Sequence, residues 1–134
     1  MPITQNNPTK IYKDIDISFA KNPNTLDISK KIDVAAVKQA LKLLINTQYY
    51  EKPFNPEFGS NIRSLLFQPF SLETSSRLQD EIKQTINNFE PRVKIESILV
   101  DPNLDTQEYT VEIAFYVVGI QGLQVLDSVL TRLR

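Results

Sequence analysis

The 134-residue sequence contains no cysteine, no histidine and no tryptophan, and only three glycines. Without cysteine the chain cannot form disulfides, and without histidine it has no imidazole to act as a general base near neutral pH. Zinc and similar metals lose their usual nitrogen and sulfur ligands for the same reason. Catalysis would fall to carboxylates, lysine, tyrosine, serine and threonine. We therefore expect no enzyme activity, no cofactor and no metal site.

An excess of either charge is also missing, because 15 basic and 16 acidic residues give a net charge of -1. This balance argues against binding of nucleic acid through bulk attraction to phosphates. No apolar run is long enough to cross a bilayer, and MPITQNNPTK lacks the apolar core of a signal peptide. We expect no nucleic-acid or membrane partner. The composition predicts a flexible tail at 1–10 and one domain at 11–134.

The N-terminal part of that domain predicts an extended segment followed by a helix. Residues 11–19 partly alternate apolar and polar side chains, and KNPNT at 21–25 is typical of a turn. Asp33 is predicted to cap a helix that ends near Thr47, with its lysines on the solvated face. Its apolar stripe recurs at three- and four-residue steps, at Val34, Val37, Leu41, Leu44 and Ile45.

Two serines mark the starts of further helices. Ser60 is predicted to cap a short helix that Pro69 stops. Ser71 is predicted to cap a longer helix that ends by Glu90, because Pro91 disfavours helical geometry in the residue before it. The apolar face of the longer helix consists of Leu78, Ile82, Ile86 and Phe89.

After this helix the apolar period changes from 3.6 to 2, which indicates strands. In RVKIESILV, the pattern places Val93, Ile95 and Leu99 on one face and Ile98 on the other. DPNLDTQ joins this strand to EYTVEIAFYVV in an antiparallel hairpin. The tail LQVLDSVLTRLR fits a helix or a third strand, and its short glycine-bounded connection favours the strand. The predicted fold class is α+β, with N-terminal helices packed on a small C-terminal antiparallel sheet.

One polar segment has the spacing of a calcium loop. Asp101, Asn103, Asp105 and Glu112 occupy positions one, three, five and twelve of an EF-hand. Position six is Thr106, where the bend requires glycine, and both flanks are predicted strands. A hairpin turn with Glu112 facing solvent accounts for the same residues.

Two carboxylates are candidates for an acid and a base in glycoside hydrolysis, namely Glu57 and Glu90. That reaction needs the two groups roughly 5–10 Å apart across a cleft. No tryptophan is present to stack on a sugar. Glu57 also suits a purely structural role, because its negative charge complements the positive N-terminal end of the helix that follows.

The segment KPFNPEFGSNIRSLLFQPF, residues 52–70, has the composition of a rigid loop. Its prolines restrict the backbone, Phe54 and Phe58 are predicted to turn inward, and Gly59 supplies a left-handed turn. Further on, Glu90 and Arg92 flank Pro91, so a carboxylate and a guanidinium leave one stiff segment side by side. A guanidinium held in this way suits bidentate hydrogen bonding to a carboxylate or to the backbone of a partner. An internal Glu–Arg pair that closes the helix is the alternative.

The combination of FNPEFGSNIRSLLFQPF, NNFEPRV about twenty residues later and then a β-hairpin resembles the baseplate wedge family of contractile-tailed phages. This family includes the small T-even wedge subunit also called the sheath initiator, and a related subunit of type VI secretion systems. The resemblance covers Ile11 to the C-terminus. It implies an α+β fold and a structural role in the virion, after synthesis in the host cytoplasm. An old lysozyme-like label of the family makes a peptidoglycan-cleaving glycosidase the alternative.

The resemblance also implies the partners: the larger baseplate wedge subunits, the tail sheath protein, and tail tube or hub proteins. Glu90, Pro91 and Arg92 are implied to dock on the helical core bundle of the wedge, so replacing Arg92 is expected to spare the isolated fold. The docking loop is predicted to comprise Phe54, Pro56, Glu57, Phe58 and Gly59. The edge implied to pair with sheath subunits comprises Leu123, Val125, Asp127, Val129, Thr131, Arg132 and Arg134. Tyr49 to Lys52 depart from the family pattern, which often has a glycine-containing turn there.

Overall fold

A computed structural model describes residues 11–133. The predicted tail at 1–10 and Arg134 lie outside the described residues. The elements in chain order are β1 (Lys13–Ile15), β2 (Lys30–Ile32), α1 (Asp33–Asn46), α2 (Ile62–Leu66), α3 (Leu72–Phe89), β3 (Val93–Asn103), β4 (Glu108–Val117) and β5 (Leu123–Thr131). β1 and β2 pair antiparallel, and β3, β4 and β5 form an antiparallel meander with β4 in the centre. The α+β prediction is confirmed.

One hydrophobic core joins the three helices to the meander. The predicted apolar stripes of α1 and α3 are buried in it, as the 3.6 period predicts, except for Val34 and Phe89, which are half-buried. The predicted inward side chains of β4 are all buried: Tyr109, Val111, Ile113, Phe115 and Val117. The alternation is not strict, because Ala114 on the opposite face is buried as well. No helix in the described part of the chain is long and apolar enough to cross a membrane.

The helix starts are only partly as predicted. Ser71 caps α3, because its Oγ accepts the backbone N–H of Thr74 at 3.1 Å. Asp33 is not a cap: it is the first residue of α1, and its carboxylate accepts the N–H of Tyr12 at 3.3 Å. Ser60 is not a cap either, because its buried hydroxyl donates to the carbonyl of Ile45 at 3.3 Å. Both side chains serve longer-range contacts instead of the helix that follows.

A β-bulge reverses the predicted faces in the second half of β3. The pairing with β4 shifts between Ile95 and Ser97, which leaves Glu96 as the extra residue. Ile98 is therefore buried and Leu99 half exposed, so the predicted assignment of these two residues is wrong. Strict period-2 reasoning fails here because one inserted residue moves every later side chain to the opposite face.

The C-terminal tail forms a third strand, as predicted, and not a helix. Leu126 and Leu130 are both buried against the helices. Their spacing of four residues suits one face of a strand as well as one face of a helix, so it could not discriminate between the two. β5 is an outer strand of the meander, and no described strand pairs with its other side.

Candidate docking groove

The loop after α1 folds back onto the end of that helix at Gly59. The backbone N–H of Ser60 donates to Thr47 O at 2.9 Å. Gly59 has a φ of 131°, and a Cβ there would lie 2.8 Å from Thr47 O and from the carbonyl carbon of Gln48. The predicted positive-φ turn is confirmed, and a close approach of backbone to backbone is a second reason for glycine.

Gly59→Ala is expected to lower the free energy of unfolding by about 3 kcal/mol, because it adds both backbone strain and a clash. Gly122→Ala is the matched control. Gly122 also has a positive φ of 101°, but its Cβ would meet only the Gln124 side chain at 3.8 Å. We expect a loss of about 1 kcal/mol there. Urea denaturation measures both values, and equal losses would show that the contact with Thr47 and Gln48 is easily relieved.

The two phenylalanines of the loop have different surroundings. Phe58 is partly buried and packs on Phe89 at the end of α3, with ring centroids 5.2 Å apart. Lys52 Nζ lies 4.3 Å from the centroid of the Phe58 ring, a cation–π distance. Phe54 is fully exposed, so the prediction that it turns inward is wrong. The closely spaced prolines hold this part of the loop on the surface, and only Phe58 reaches the core.

Glu90 and Arg92 form an internal pair at the end of α3. Glu90 Oε1 accepts from Arg92 Nε at 2.8 Å, and Oε2 accepts from Nη2 at 2.8 Å. The Glu90 side chain is only 8% exposed. Its hydrogen bonds to the guanidinium are the main reason that the pKa of Arg92 is raised. The guanidinium therefore stays charged, and the pair closes the helix as the alternative reading proposed.

Arg92 also connects this helix end to the N-terminal sheet. Its Nη1 lies 3.5 Å from Asp14 Oδ2 on β1, and its guanidinium lies 5.5 Å from the centroid of the Tyr12 ring. The hydroxyl of Tyr12 donates to Val118 O at 2.8 Å. A guanidinium has five N–H donors, and the contacts to Glu90 and Asp14 use three of them. Two side-chain N–H groups remain without a partner among residues 11–133.

A groove of about 570 Å³ brings the two sequence motifs together. Phe58 from the loop and Glu90 and Arg92 from the later motif share its walls, although about thirty residues separate them. Phe54, Pro56 and Glu57 are exposed and do not line it. The remaining lining comes from the second half of α1, the loop and the end of α3: Ala40, Leu43, Leu44, Thr47, Glu51, Lys52 and Phe89.

Sequence reasoning missed the contribution of α1 to this groove. Leu43 is 45% exposed, and Leu44 beside it is buried. Leu43 lies outside the apolar stripe of the helix, so an extra leucine next to the stripe was the available signal. An exposed leucine at the edge of a groove marks a surface suited to an apolar partner.

The candidate acid and base are not arranged for glycoside hydrolysis. Glu57 is exposed and lies outside the groove lining. Both carboxylate oxygens of Glu90 accept hydrogen bonds from Arg92. Glu51, the other acidic residue of the groove, accepts the N–H of Gln48 at 2.9 Å.

The segment with EF-hand spacing, residues 101–112, contains a hairpin turn. Asn103 Oδ1 accepts the backbone N–H groups of Asp105 at 3.1 Å and Thr106 at 3.4 Å, which closes the turn between β3 and β4. Glu112 lies in the middle of β4. Over residues 11–133 no group of three or more acidic side chains is placed to hold a metal ion.

The predicted partner edge on β5 lies apart from this groove. The N–H of Arg132 donates toward β4, to Gln107 O, and that of Leu133 donates away from it, to Leu66 O. Because backbone groups alternate along a strand, the odd-numbered residues direct their N–H and C=O groups to the open edge. These residues also have exposed side chains: Leu123, Val125, Asp127, Val129 and Thr131. Arg132 is half-buried, with its Nη1 3.5 Å from Gln107 Oε1.

Comparison with known proteins places these features in a protein family. A sequence model described as baseplate wedge protein gp25 matches residues 33–119. Baseplate wedge protein gp25 of Enterobacteria phage T4 is 31% identical over 112 residues, which cover 84% of each chain.

Solved structures share the fold at lower identity. A chain of the anti-feeding prophage baseplate superposes with a TM-score of 0.65 at 17% identity, covering 92% of this chain and 88% of that one. A chain of the type VI secretion baseplate complex gives 0.59 at 16%, covering 70% and 88%. A Geobacter sulfurreducens protein, described as a candidate tail lysozyme, gives 0.59 at 19%, covering 71% and 88%. At these identities the likeness is one of fold.

Proposed function

We propose that this chain, which belongs to the baseplate wedge protein gp25 family, is a structural subunit of the baseplate wedge of a contractile tail. In this role it is located in the virion. It docks on the helical core bundle of the larger wedge subunits and starts the first sheath ring by pairing strands. The tail tube or hub proteins are further candidate neighbours. No catalytic step is assigned to it.

The observation that carries this proposal is the groove shared by Phe58, Glu90 and Arg92. Its apolar walls suit the apolar ridge of an amphipathic helix, and docking of this kind recurs in protein recognition. Its charged side chains balance, because two are acidic and two are basic: Glu51, Glu90, Lys52 and Arg92. A helix bundle with an apolar ridge and mixed charges on either side is therefore the occupant that we propose.

Arg92 contributes to docking through the two N–H donors that Glu90 and Asp14 leave free. The bidentate pair fixes the orientation of the guanidinium, so less side-chain entropy is lost when a partner binds. The two remaining N–H groups suit a carboxylate or the carbonyls at the end of a partner helix. In this arrangement Glu90 positions Arg92, and Pro91 restricts the segment between them. The loop residues Phe54, Pro56 and Glu57 form an exposed surface beside the groove.

The open edge of β5 supports the sheath part of the proposal. Its outward N–H and C=O groups form a template for one more strand, and an incoming sheath segment can extend the meander by β-augmentation. Repeated copies around the tail then supply avidity. Arg132 has a partner within the chain, so the exposed odd-numbered residues of β5 are the stronger candidates for sheath contact.

Leu43→Glu tests the groove. A carboxylate at this position would be buried without a partner under a docked helix, so binding to the wedge subunits encoded with this chain is expected to weaken at least about tenfold. Leu104→Glu is the control, because Leu104 is also exposed but lies in the distant β3–β4 turn. Both variants should melt like the unmodified chain. Equal binding of the two variants in a pull-down titration would refute docking at the groove.

A further inference from the structure

A second groove of about 350 Å³ lies between α1, the β1–β2 sheet and the open side of β5. Leu126 is the only β5 residue in its lining, and no residue of β4 contributes. The other residues that matter here are Asp16, Lys31, Lys38 and Lys42. The groove therefore lies on the side of β5 where an added strand would run.

The charges in this groove are not balanced. Lys31 Nζ lies 3.8 Å from Asp16 Oδ2, which leaves that lysine paired. Backbone and side-chain hydrogen bonds from Ser18, with a smaller effect from Lys31, lower the pKa of Asp16, which keeps it ionised. Lys38 is half-buried and Lys42 exposed, and neither forms an ion pair with any residue from 11 to 133. They stand one helical turn apart, where like charges repel.

The sequence predicted that these lysines lie on the solvated face of the helix, and the structure adds that they line this groove. Two unpaired cations beside an open sheet edge favour an anionic group from another chain.

A third groove of about 240 Å³ lies further along the same edge of β5 and is of a different chemical kind. Most of its lining is aliphatic: Leu130, Leu133 and Val129 from the end of the chain, and Ile45, Ile62 and Leu66 from the helices. Asn46, Arg63 and Thr131 complete the lining. No residue of β4 contributes to this groove either. Along one edge, a basic groove is thus followed four residues later by an apolar one.

We infer that the sheath strand that pairs with β5 carries an aspartate or glutamate opposite Leu126 and an aliphatic residue opposite Leu130. Residues directly opposite each other on paired strands point to the same face of the sheet. Leu126 and Leu130 point toward the helices, so their two neighbours on the added strand enter the basic and the apolar groove. The two partner residues are four apart, and the pattern sets the register of the strand. This inference rests on the proposed sheath contact and specifies which residues that contact requires on the partner strand.

The test uses the sheath protein encoded with this chain and measures its binding to purified variants. Combining Lys38→Glu with Lys42→Glu is expected to weaken binding about tenfold or more, because attraction becomes repulsion. The control combines Lys21→Glu with Lys83→Glu, two exposed lysines outside the groove, so the net charge changes equally. Changing the partner's acidic residue to lysine should restore binding to the first double variant and weaken binding to the unmodified chain.

A reference variant separates this inference from the proposed function. Asp127→Pro removes an N–H that points to the open edge, and proline is tolerated on edge strands. If Asp127→Pro abolishes sheath binding but the Lys38 and Lys42 changes match the control, the edge pairs as proposed and the charge rule is wrong. If Asp127→Pro has no effect, the proposed strand pairing itself fails. If the lysine changes alter only self-association of the chain, the edge pairs with a second copy and the inference is overturned.

Discussion

Replacing Arg92 with alanine will lower the free energy of unfolding by about 3 kcal/mol, because it leaves a buried carboxylate without its counter-charge. The Glu90 side chain is 8% exposed and has both oxygens bonded to this guanidinium. The substitution also removes the contacts to Asp14 and Tyr12 that hold the N-terminal sheet. The expectation from the sequence, that the isolated fold is spared, assumed an outward-pointing side chain. Incorporation into wedges should be lost as well.

Arg77→Ala is the matched control for this prediction. Arg77 Nη2 lies 2.6 Å from Glu73 Oε1, but both side chains are more than half exposed. Removing it should lower the free energy of unfolding by about 0.5 kcal/mol, the value typical of a solvated ion pair on a helix. Urea denaturation monitored by circular dichroism measures both. A loss as small for Arg92→Ala as for Arg77→Ala would show that water replaces the guanidinium at Glu90.

Stability and docking can be separated with a double substitution. Combining Glu90→Met with Arg92→Met removes both charges and keeps apolar volume, so much of the lost stability should return. Wedge binding should remain lost, because the two free N–H donors are still missing. A double variant that binds the wedge at full strength would remove Arg92 from the docking proposal.

Deleting residues 123–134 will abolish cooperative unfolding of the domain. The deletion removes Leu126 and Leu130 from the core, and each such leucine contributes about 2–5 kcal/mol to the free energy of unfolding. Their combined loss is most of the roughly 5–15 kcal/mol that is typical of a whole domain. It also leaves the β4 backbone groups that bond to β5 without partners. The truncation therefore cannot report on sheath contact alone. A sharp thermal transition in the truncated chain, followed by circular dichroism, would contradict this expectation.

Asp127→Pro is the variant that isolates the edge. The side chain of Asp127 is exposed, opposite Glu112 across the β4–β5 pair, so replacing it also removes a repulsion between like charges. The cooperative transition should persist, and tails should then carry baseplates without an ordered sheath. Electron microscopy of tails assembled with this variant shows whether the baseplates carry an ordered sheath.

Local patterns predicted those parts of the fold that depend on near neighbours. The apolar period of α3, its Ser71 cap and its end before Pro91 are confirmed, because each depends on contacts within a few residues. The buried face of β4 and the choice of a strand for the tail are confirmed for the same reason. The bulge at Glu96 escaped prediction, because Leu99 continues the period of two set by Val93 and Ile95, although it lies on the opposite face.

By itself, the sequence determined the α+β class, the order of the elements and, through its two spaced motifs, the family. Tertiary structure alone decided that Arg92 pairs with Glu90 and reaches Asp14, 78 residues earlier. It alone also placed Phe58 and Leu43 beside that pair, and Lys38 beside the open edge of β5. The physical reason is range: caps, turns and periods depend on neighbours along the chain. Grooves and ion pairs depend on how whole elements pack and on strand register.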